Sequence, residues 1–231
     1  MSKAEPWTAD DPAPLDPRVA AELEAAGIEP GRPLIAVDAD EVLVHFAEHF
    51  RDHCAARGIL FSLIEYRLDT ALRHADGRPL DRSEITPLIW EFIETETRNQ
   101  RAIDGAAEGL AALADTAQVV VLTNAPAKMR ADRIANLADL GMAYPVVMNE
   151  GGKGRALRWL AARAGAPVAF IDDSVDQHRS AAKHAPGVRR VHMVAPEILR
   201  PIIGEAPGAV ARVQNWAEAA EAVRRALDDA L

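Results

Sequence analysis

Five short apolar runs punctuate the chain: LIAV at 34–37, VVVL at 119–122, VVM at 146–148, VAFI at 168–171 and VHMV at 191–194. Most of them do not alternate polar with apolar residues. Runs that are apolar throughout suit strands covered on both faces, as in a parallel sheet. Between them lie Ala- and Leu-rich stretches with helical spacing, at 106–114, 127–140, 153–164 and 175–184. A short helix is predicted over 17–26, stopped by Gly27, and a last one over 214–231 that packs back on the sheet. Strand and helix alternate, which predicts an α/β fold with a doubly wound, mainly parallel sheet.

One stretch breaks the alternation. From His45 to Ile103 there is only helical patterning, with candidate helices over 45–57, 60–74 and 83–101 and a turn at Asp76-Gly77-Arg78-Pro79. The predicted organisation is a flexible lead-in over 1–16, an α/β core over 17–44 and 104–231, and an inserted helical cap over 45–103. In the first cap helix, Phe46, Phe50 and Cys54 form an apolar stripe, with His45, His49 and His53 along its flank. Trp90 and Phe92 are assigned to the packing of the cap.

Composition narrows the function. A chain of 231 residues fits one large domain or one domain with an insertion. The charge sum, 26 − 35 = −9, disfavours general binding to a nucleic-acid polymer or an anionic membrane. The single cysteine, Cys54, excludes an intrachain disulfide and a Cys-rich metal site. The N-terminal stretch lacks the apolar segment of a signal peptide, and no run approaches the roughly 18 apolar residues of a membrane span. The expectation is a soluble cytoplasmic protein. Basic residues are almost all arginine, leaving Lys3, Lys128, Lys153 and Lys183 as the lysines.

The chemistry lies in what ends each strand. LIAV runs into Asp38-Ala39-Asp40, VVVL into Thr123-Asn124, and VAFI into Asp172-Asp173-Ser174. In open parallel sheets the ligand crevice lies beyond the carboxyl ends of the strands. Lys153 precedes the fourth run, in a Gly-Gly-Lys-Gly segment that opens a helix. Clustered carboxylates repel: two unit charges ~4 Å apart interact by about 4 kcal/mol at an effective dielectric near 20. Such a rim calls for a cation, and an all-oxygen donor set suits Mg²⁺. A dication, a lysine and a hydroxyl around one point are the parts needed to hold a phosphoryl group.

Asp38-Ala39-Asp40-Glu41-Val42-Leu43 resembles the first motif of the haloacid dehalogenase superfamily. Thr123 resembles its second motif, Lys153 its third, and Asp172-Asp173-Ser174-Val175-Asp176 its acidic fourth. The insertion between the first two motifs is where that superfamily places its type-1 cap. The resemblance covers 33–194 and implies a Mg²⁺-dependent phosphatase with a Rossmann-like core. It implies that Asp38 is the nucleophile, forming an aspartyl-phosphate, and that Asp40 is the acid–base group. Thr123, Asn124 and Lys153 would hold the phosphoryl oxygens. The metal ligands would be the Asp38 carboxylate, the Asp40 main-chain carbonyl, and Asp172 or Asp173. The fourth motif offers a third aspartate, Asp176; Asp172 and Asp173 are favoured. Many members have glycine where this chain has Glu41, which adds bulk and negative charge beside an anionic site. Dehalogenase members lack an acid at the Asp40 position, which favours a phosphatase. The cap has no lysine, which disfavours the imine-forming phosphonate branch. The expected partner is a small phosphorylated metabolite. Alternatives are a nucleotidase-like member, or a non-catalytic phospho-acceptor or binding protein on the same fold.

Overall fold

A computed structural model describes residues 15–63 and 68–230. The expected lead-in, apart from Leu15 and Asp16, and part of the predicted helix over 60–74 lie outside the described residues. In chain order the elements are α1 (Pro17–Ala25), β1 (Leu34–Val37), α2 (Ala47–Ala55), β2 (Leu60–Phe61), α3 (Leu68–Ala71), β3 (Leu72–Arg73), α4 (Arg82–Glu96), α5 (Ala106–Ala114), β4 (Gln118–Thr123), α6 (Arg130–Asp139), β5 (Val146–Met148), α7 (Gly154–Ala164), β6 (Val168–Asp172), α8 (Val175–His184), β7 (Arg189–Met193), β8 (Ala211–Val213) and α9 (Trp216–Asp228).

The main sheet has the order β5-β4-β1-β6-β7-β8 and every pairing in it is parallel. Its strands are apolar at successive positions because both faces are covered. Ile35, Val37, Val119 and Val121 cluster with Leu110, Trp216 and Val223. Their neighbours Leu34, Ala36, Val120 and Phe170 cluster instead with Leu23, Leu157 and Leu160. The doubly wound α/β fold expected from the sequence is therefore present.

Two strand features depart from expectation. The sheet has a sixth strand, β8, at the edge, where Ala211 is half-buried, Arg212 exposed and Val213 buried, so it forms no apolar run. The inserted segment is not purely helical: β2 pairs antiparallel with β3, and of the helix predicted over 60–74 only α3 forms among the described residues. Two-residue strands are too short to leave a periodic signature.

β1 sits at the centre, with β4 on one side and β6 on the other. The chain winds outward from β1 in both directions, so the crevice beyond its carboxyl end is the topological switch point. The inserted segment leaves and rejoins the core there through an antiparallel neck. Ile103 N–H donates to Leu43 O (2.8 Å) and His45 N–H to Arg101 O (2.9 Å). Beyond the neck the insert has its own apolar cluster of Phe50, Cys54, Leu72, Ile85, Leu88 and Phe92. Helix α4 is started by a reciprocal capping box between Asp81 and Glu84. His49 and His53 lie edge-on to Phe92 and face Glu96 at 3.5 and 3.8 Å, so they flank the packed stripe. Trp90 is not part of the insert's packing; it is 42% exposed, with the Lys128 ammonium over its ring.

The last helix buttresses the turn after β1. Trp216 is buried and its Nε1–H donates to Val42 O at 2.8 Å. Its ring lies so close to α5 that a Cβ at Gly109 would fall 2.6 Å from it. Among the described residues no helix is long and apolar enough to cross a membrane.

Candidate active site

Asp38 extends the ladder of β1 by one residue, donating its N–H to Ile171 O at 2.9 Å. That bond aims the side chain beyond the strand end. Its Oδ1 accepts from Ala39 N–H and lies 2.7 Å from Lys153 Nζ. The same ammonium lies 2.7 Å from Oδ2 of Asp172, the last residue of β6, whose Oδ1 accepts from Ser174 N–H at 2.8 Å. Oxygens of Asp38, Asp172 and Asp173 all fall within 4.8 Å of one another. Three of the expected site segments, far apart in sequence, thus meet at one point. Asp176 does not join them; it is exposed and pairs with Arg179 at 2.8 Å.

The cluster is buried, and the charges show it. Burial pushes the Asp38 carboxyl up to about 7, with Lys153 opposing the shift and Asp172 and Asp40 adding to it. Burial raises Asp173 well above the ordinary carboxylate range, with Asp172 and Asp38 pushing the same way. For Lys153 burial works against the charged form, but Asp172 and Asp38 overcome it and raise the ammonium. With all three carboxyls ionised, the one ammonium among them would leave negative charge uncompensated, which is why burial and mutual repulsion raise Asp38 and Asp173. The donors are all oxygen, so the cluster suits a hard divalent cation. Both Asp172 oxygens are already held by the protein, whereas Asp173 lines the cleft, as does Asp38.

Lys153 is positioned from several directions. It opens α7, and its N–H donates to Gln177 Oε1 at 2.8 Å. The glycine after it brings two helices together: a Cβ at Gly154 would lie 2.0 Å from Ser180 O of α8. Three side-chain amides converge on the Gly151 carbonyl, from Asn124 (2.7 Å), Asn149 (3.2 Å) and Gln177 (3.3 Å). The Asn124 amide, expected at the phosphate, is thus engaged in bracing the Lys153 loop, and its Oδ1 accepts from Asn149. Thr123 ends β4 wholly buried, its Oγ1 accepting from Ala125 N–H at 3.3 Å. Asn124, Ala125 and Pro126 line the cleft beside it.

The turn after Asp38 accommodates Glu41 in the left-handed region, at φ 63°. This conformation costs an L-residue roughly 1–2 kcal/mol. A bond offsets part of it: Glu41 Oε1 accepts from Ala47 N–H at 2.6 Å, capping the start of α2. Glu41 is 4% exposed, and burial raises its carboxyl to about 8. At neutral pH it is therefore mostly uncharged, so the extra negative charge expected beside the site is largely absent.

The cleft has a volume of about 290 Å³. Asp38, Asp40 and Lys153 line it from the core, and Phe46, Thr97 and Gln100 from the insert. Asp40 Oδ1 lies 2.7 Å from Arg133 Nη2. Arg133 and Gln100 were not anticipated from the sequence. The available signal was a basic residue at a position where the spacing of α6 calls for an apolar one.

Two buried histidines back the acidic loop. His178 Nε2 bonds Asp172 O and His192 Nε2 bonds Asp173 O, both at 2.9 Å. His192 Nδ1 accepts from Ala206 N–H, which fixes its donor nitrogen on Asp173. Burial lowers His178 to about 4, so it stays neutral.

No family model and no curated protein matches the sequence. Solved structures do match the fold. A haloacid dehalogenase family hydrolase from Deinococcus radiodurans R1, with bound phosphate and sodium, is similar over 86% of this chain and 97% of its own, at 17% identity and a TM-score of 0.58. A haloacid dehalogenase-like protein from Agrobacterium tumefaciens matches over 84% and 99%, at 16% identity and 0.58. An L-2-haloacid dehalogenase from Xanthobacter autotrophicus, with chloropropionic acid covalently bound, matches over 83% and 98%, at 15% identity and 0.53. The chain has the fold of the haloacid dehalogenase-like hydrolases.

Proposed function

We propose that the chain is a cytoplasmic, Mg²⁺-dependent phosphohydrolase that cleaves a small phosphomonoester through an aspartyl-phosphate on Asp38. One observation carries this reading. Lys153 joins Asp38 to Asp172 at 2.7 Å each, with Asp173 in the same oxygen cluster, and Asp38, Lys153 and Asp173 line a cleft. A carboxylate approaches a phosphate dianion only where cations cancel the repulsion.

Asp38, Asp173 and the Asp40 main-chain carbonyl would hold the metal, with Asp172 behind them holding Lys153. The bound metal supplies positive charge to the phosphoryl oxygens and to the attacking carboxylate. Asp38 Oδ2, which has no partner among the described residues, attacks phosphorus. The P–O bond to the leaving group breaks, its electron pair goes to the leaving oxygen, and Asp40 gives that oxygen a proton. Water then attacks the aspartyl-phosphate and gives its proton to Asp40. Inorganic phosphate departs and Asp38 is restored. Lys153 and the Thr123 region stabilise the charge on the transferring group.

Asp40 favours a phosphate ester over a carbon–halogen bond, because a departing halide needs no proton. The insert acts as a cap: Phe46, Thr97 and Gln100 stand over the cleft, and the narrow space favours a small substrate. The test is phosphate release from a panel of phosphorylated metabolites, with and without Mg²⁺. Metal-dependent release that is lost in Asp38→Asn supports the reading; full turnover in Asp38→Asn refutes it.

A further inference from the structure

Helix α6 buries one stripe, made of Arg133, Asn136 and Leu137, which continues from Met129 just before the helix. The spacing is that of an apolar face, yet two members are polar and one is a cation. Arg133 is 2% exposed. Burying a guanidinium is costly unless a carboxylate answers it. Here the answering group is Asp40, at 2.7 Å from Nη2, and Arg133 Nε and Nη1 have no partner among the described residues. A guanidinium placed for stability alone usually engages its fork in a bidentate pair. This one makes a single end-on contact with a carboxylate that opens onto the cleft.

The contact belongs to a small lattice. Gln100 Nε2 reaches the same Asp40 Oδ1 at 3.4 Å and His45 O at 3.3 Å. Asn136, one turn beyond Arg133, donates to Gln100 O at 2.8 Å and Arg98 O at 3.2 Å. Both attachments fall on Oδ1. Asp40 Oδ2 has no partner among the described residues, and the side chain keeps 27% of its exposure.

We infer that Arg133 is a positioning residue that fixes the Asp40 carboxyl, by holding Oδ1, so that Oδ2 is presented to the leaving oxygen of the substrate. The inference rests on the phosphohydrolase reading, in which Asp40 moves the proton. It assigns to a buried core arginine, outside the four motifs, control of the step in which the P–O bond breaks and the leaving oxygen is protonated.

The experiment compares two substrates: an alkyl phosphomonoester turned over by the wild type, whose leaving oxygen needs the proton, and 4-nitrophenyl phosphate, whose phenolate leaves without one. In Arg133→Met, kcat/KM on the alkyl ester, which reads the steps up to loss of the leaving group, falls about 10²-fold or more, within the range of general acid catalysis. On 4-nitrophenyl phosphate kcat/KM falls less than about tenfold. Arg133→Lys recovers part of the loss on the alkyl ester, and serves as the test variant if Arg133→Met does not fold. The Asp40→Asn/Arg133→Met double variant is no slower than Asp40→Asn alone, because both substitutions remove one function. Equal losses on the two substrates, or additive losses in the double variant, overturn the inference and leave the phosphohydrolase reading standing. A wild type that releases no phosphate from any ester overturns both.

Discussion

Lys153→Met removes a buried cation held between two buried carboxylates. In the wild type its ammonium lies 2.7 Å from both Asp38 Oδ1 and Asp172 Oδ2, and the lysine is 1% exposed, so solvent screens little of the interaction. Without the lysine, a buried carboxylate either stays charged in an apolar setting or takes up a proton. Neutralising an ordinary carboxyl at pH 7 costs about 4 kcal/mol, from roughly three pKa units at 1.36 kcal/mol each. That agrees with the 3–5 kcal/mol typical of breaking a buried ion pair. For a chain of this size each kcal/mol lowers Tm by about 2–4 °C, so the expected loss is roughly 6–20 °C. The sign of the pH dependence follows from the same exchange. Lys153 holds the Asp38 carboxyl down, so its removal raises that group further. A carboxyl raised in the folded state loses stability as pH rises above its unfolded value of about 3.9. The Tm gap between Lys153→Met and wild type therefore widens as pH rises through about 7, where the wild-type carboxyl loses its proton and the variant's keeps it. Thermal unfolding followed by circular dichroism, without metal, measures it. A loss under about 3 °C at neutral pH, or a gap that does not change with pH, refutes the reasoning.

Magnesium should raise Tm more at about pH 8 than at about pH 6, because Asp38 and Asp173, both raised by burial, must lose protons to bind it; thermal shifts at matched metal concentration check this. Glu41→Gln keeps the acceptor for Ala47 N–H but removes a carboxyl raised to about 8. Its Tm should exceed that of the wild type by a margin that grows as pH rises from about 4.5 to about 8, since the wild type must protonate or bury a charge over that window. His192→Phe leaves Asp173 O and Ala206 N–H without their partner. It should cost about 1–3 kcal/mol of stability per unsatisfied group in denaturant titration, and weaken magnesium binding about 10-fold or more by calorimetry.

Much of the framework was legible because burial on both faces writes itself into the sequence. β1, β4, β5 and β6 coincide with apolar runs, and β1 and β6 end where the polar residues begin. The features that were not legible lack that signature. β8 lies at an edge, β2 and β3 have two residues each, and β7 begins two residues earlier than its apolar run, at half-buried Arg189 and Arg190. The convergence of Asp38, Lys153 and Asp172 followed from strand ends. What surrounds them depends on tertiary contacts. Asn124 turns to the Gly151 carbonyl because Asn149 and Gln177 also meet there. Gly154 is glycine because Ser180 of α8 packs against it. Arg133 reads as one more arginine in an arginine-rich chain until α6 places it against Asp40.

The most direct measurement is whether Asp38 itself carries the phosphoryl group. The full chain would be mixed with a phosphomonoester that it turns over and with Mg²⁺, quenched in acid within one turnover, digested, and its peptides weighed. A phosphorylated peptide that maps to Asp38, absent without metal and absent in Asp38→Asn, is the expected result. Turnover with the phosphoryl group on another residue, or with no phosphoenzyme under single-turnover conditions, contradicts it.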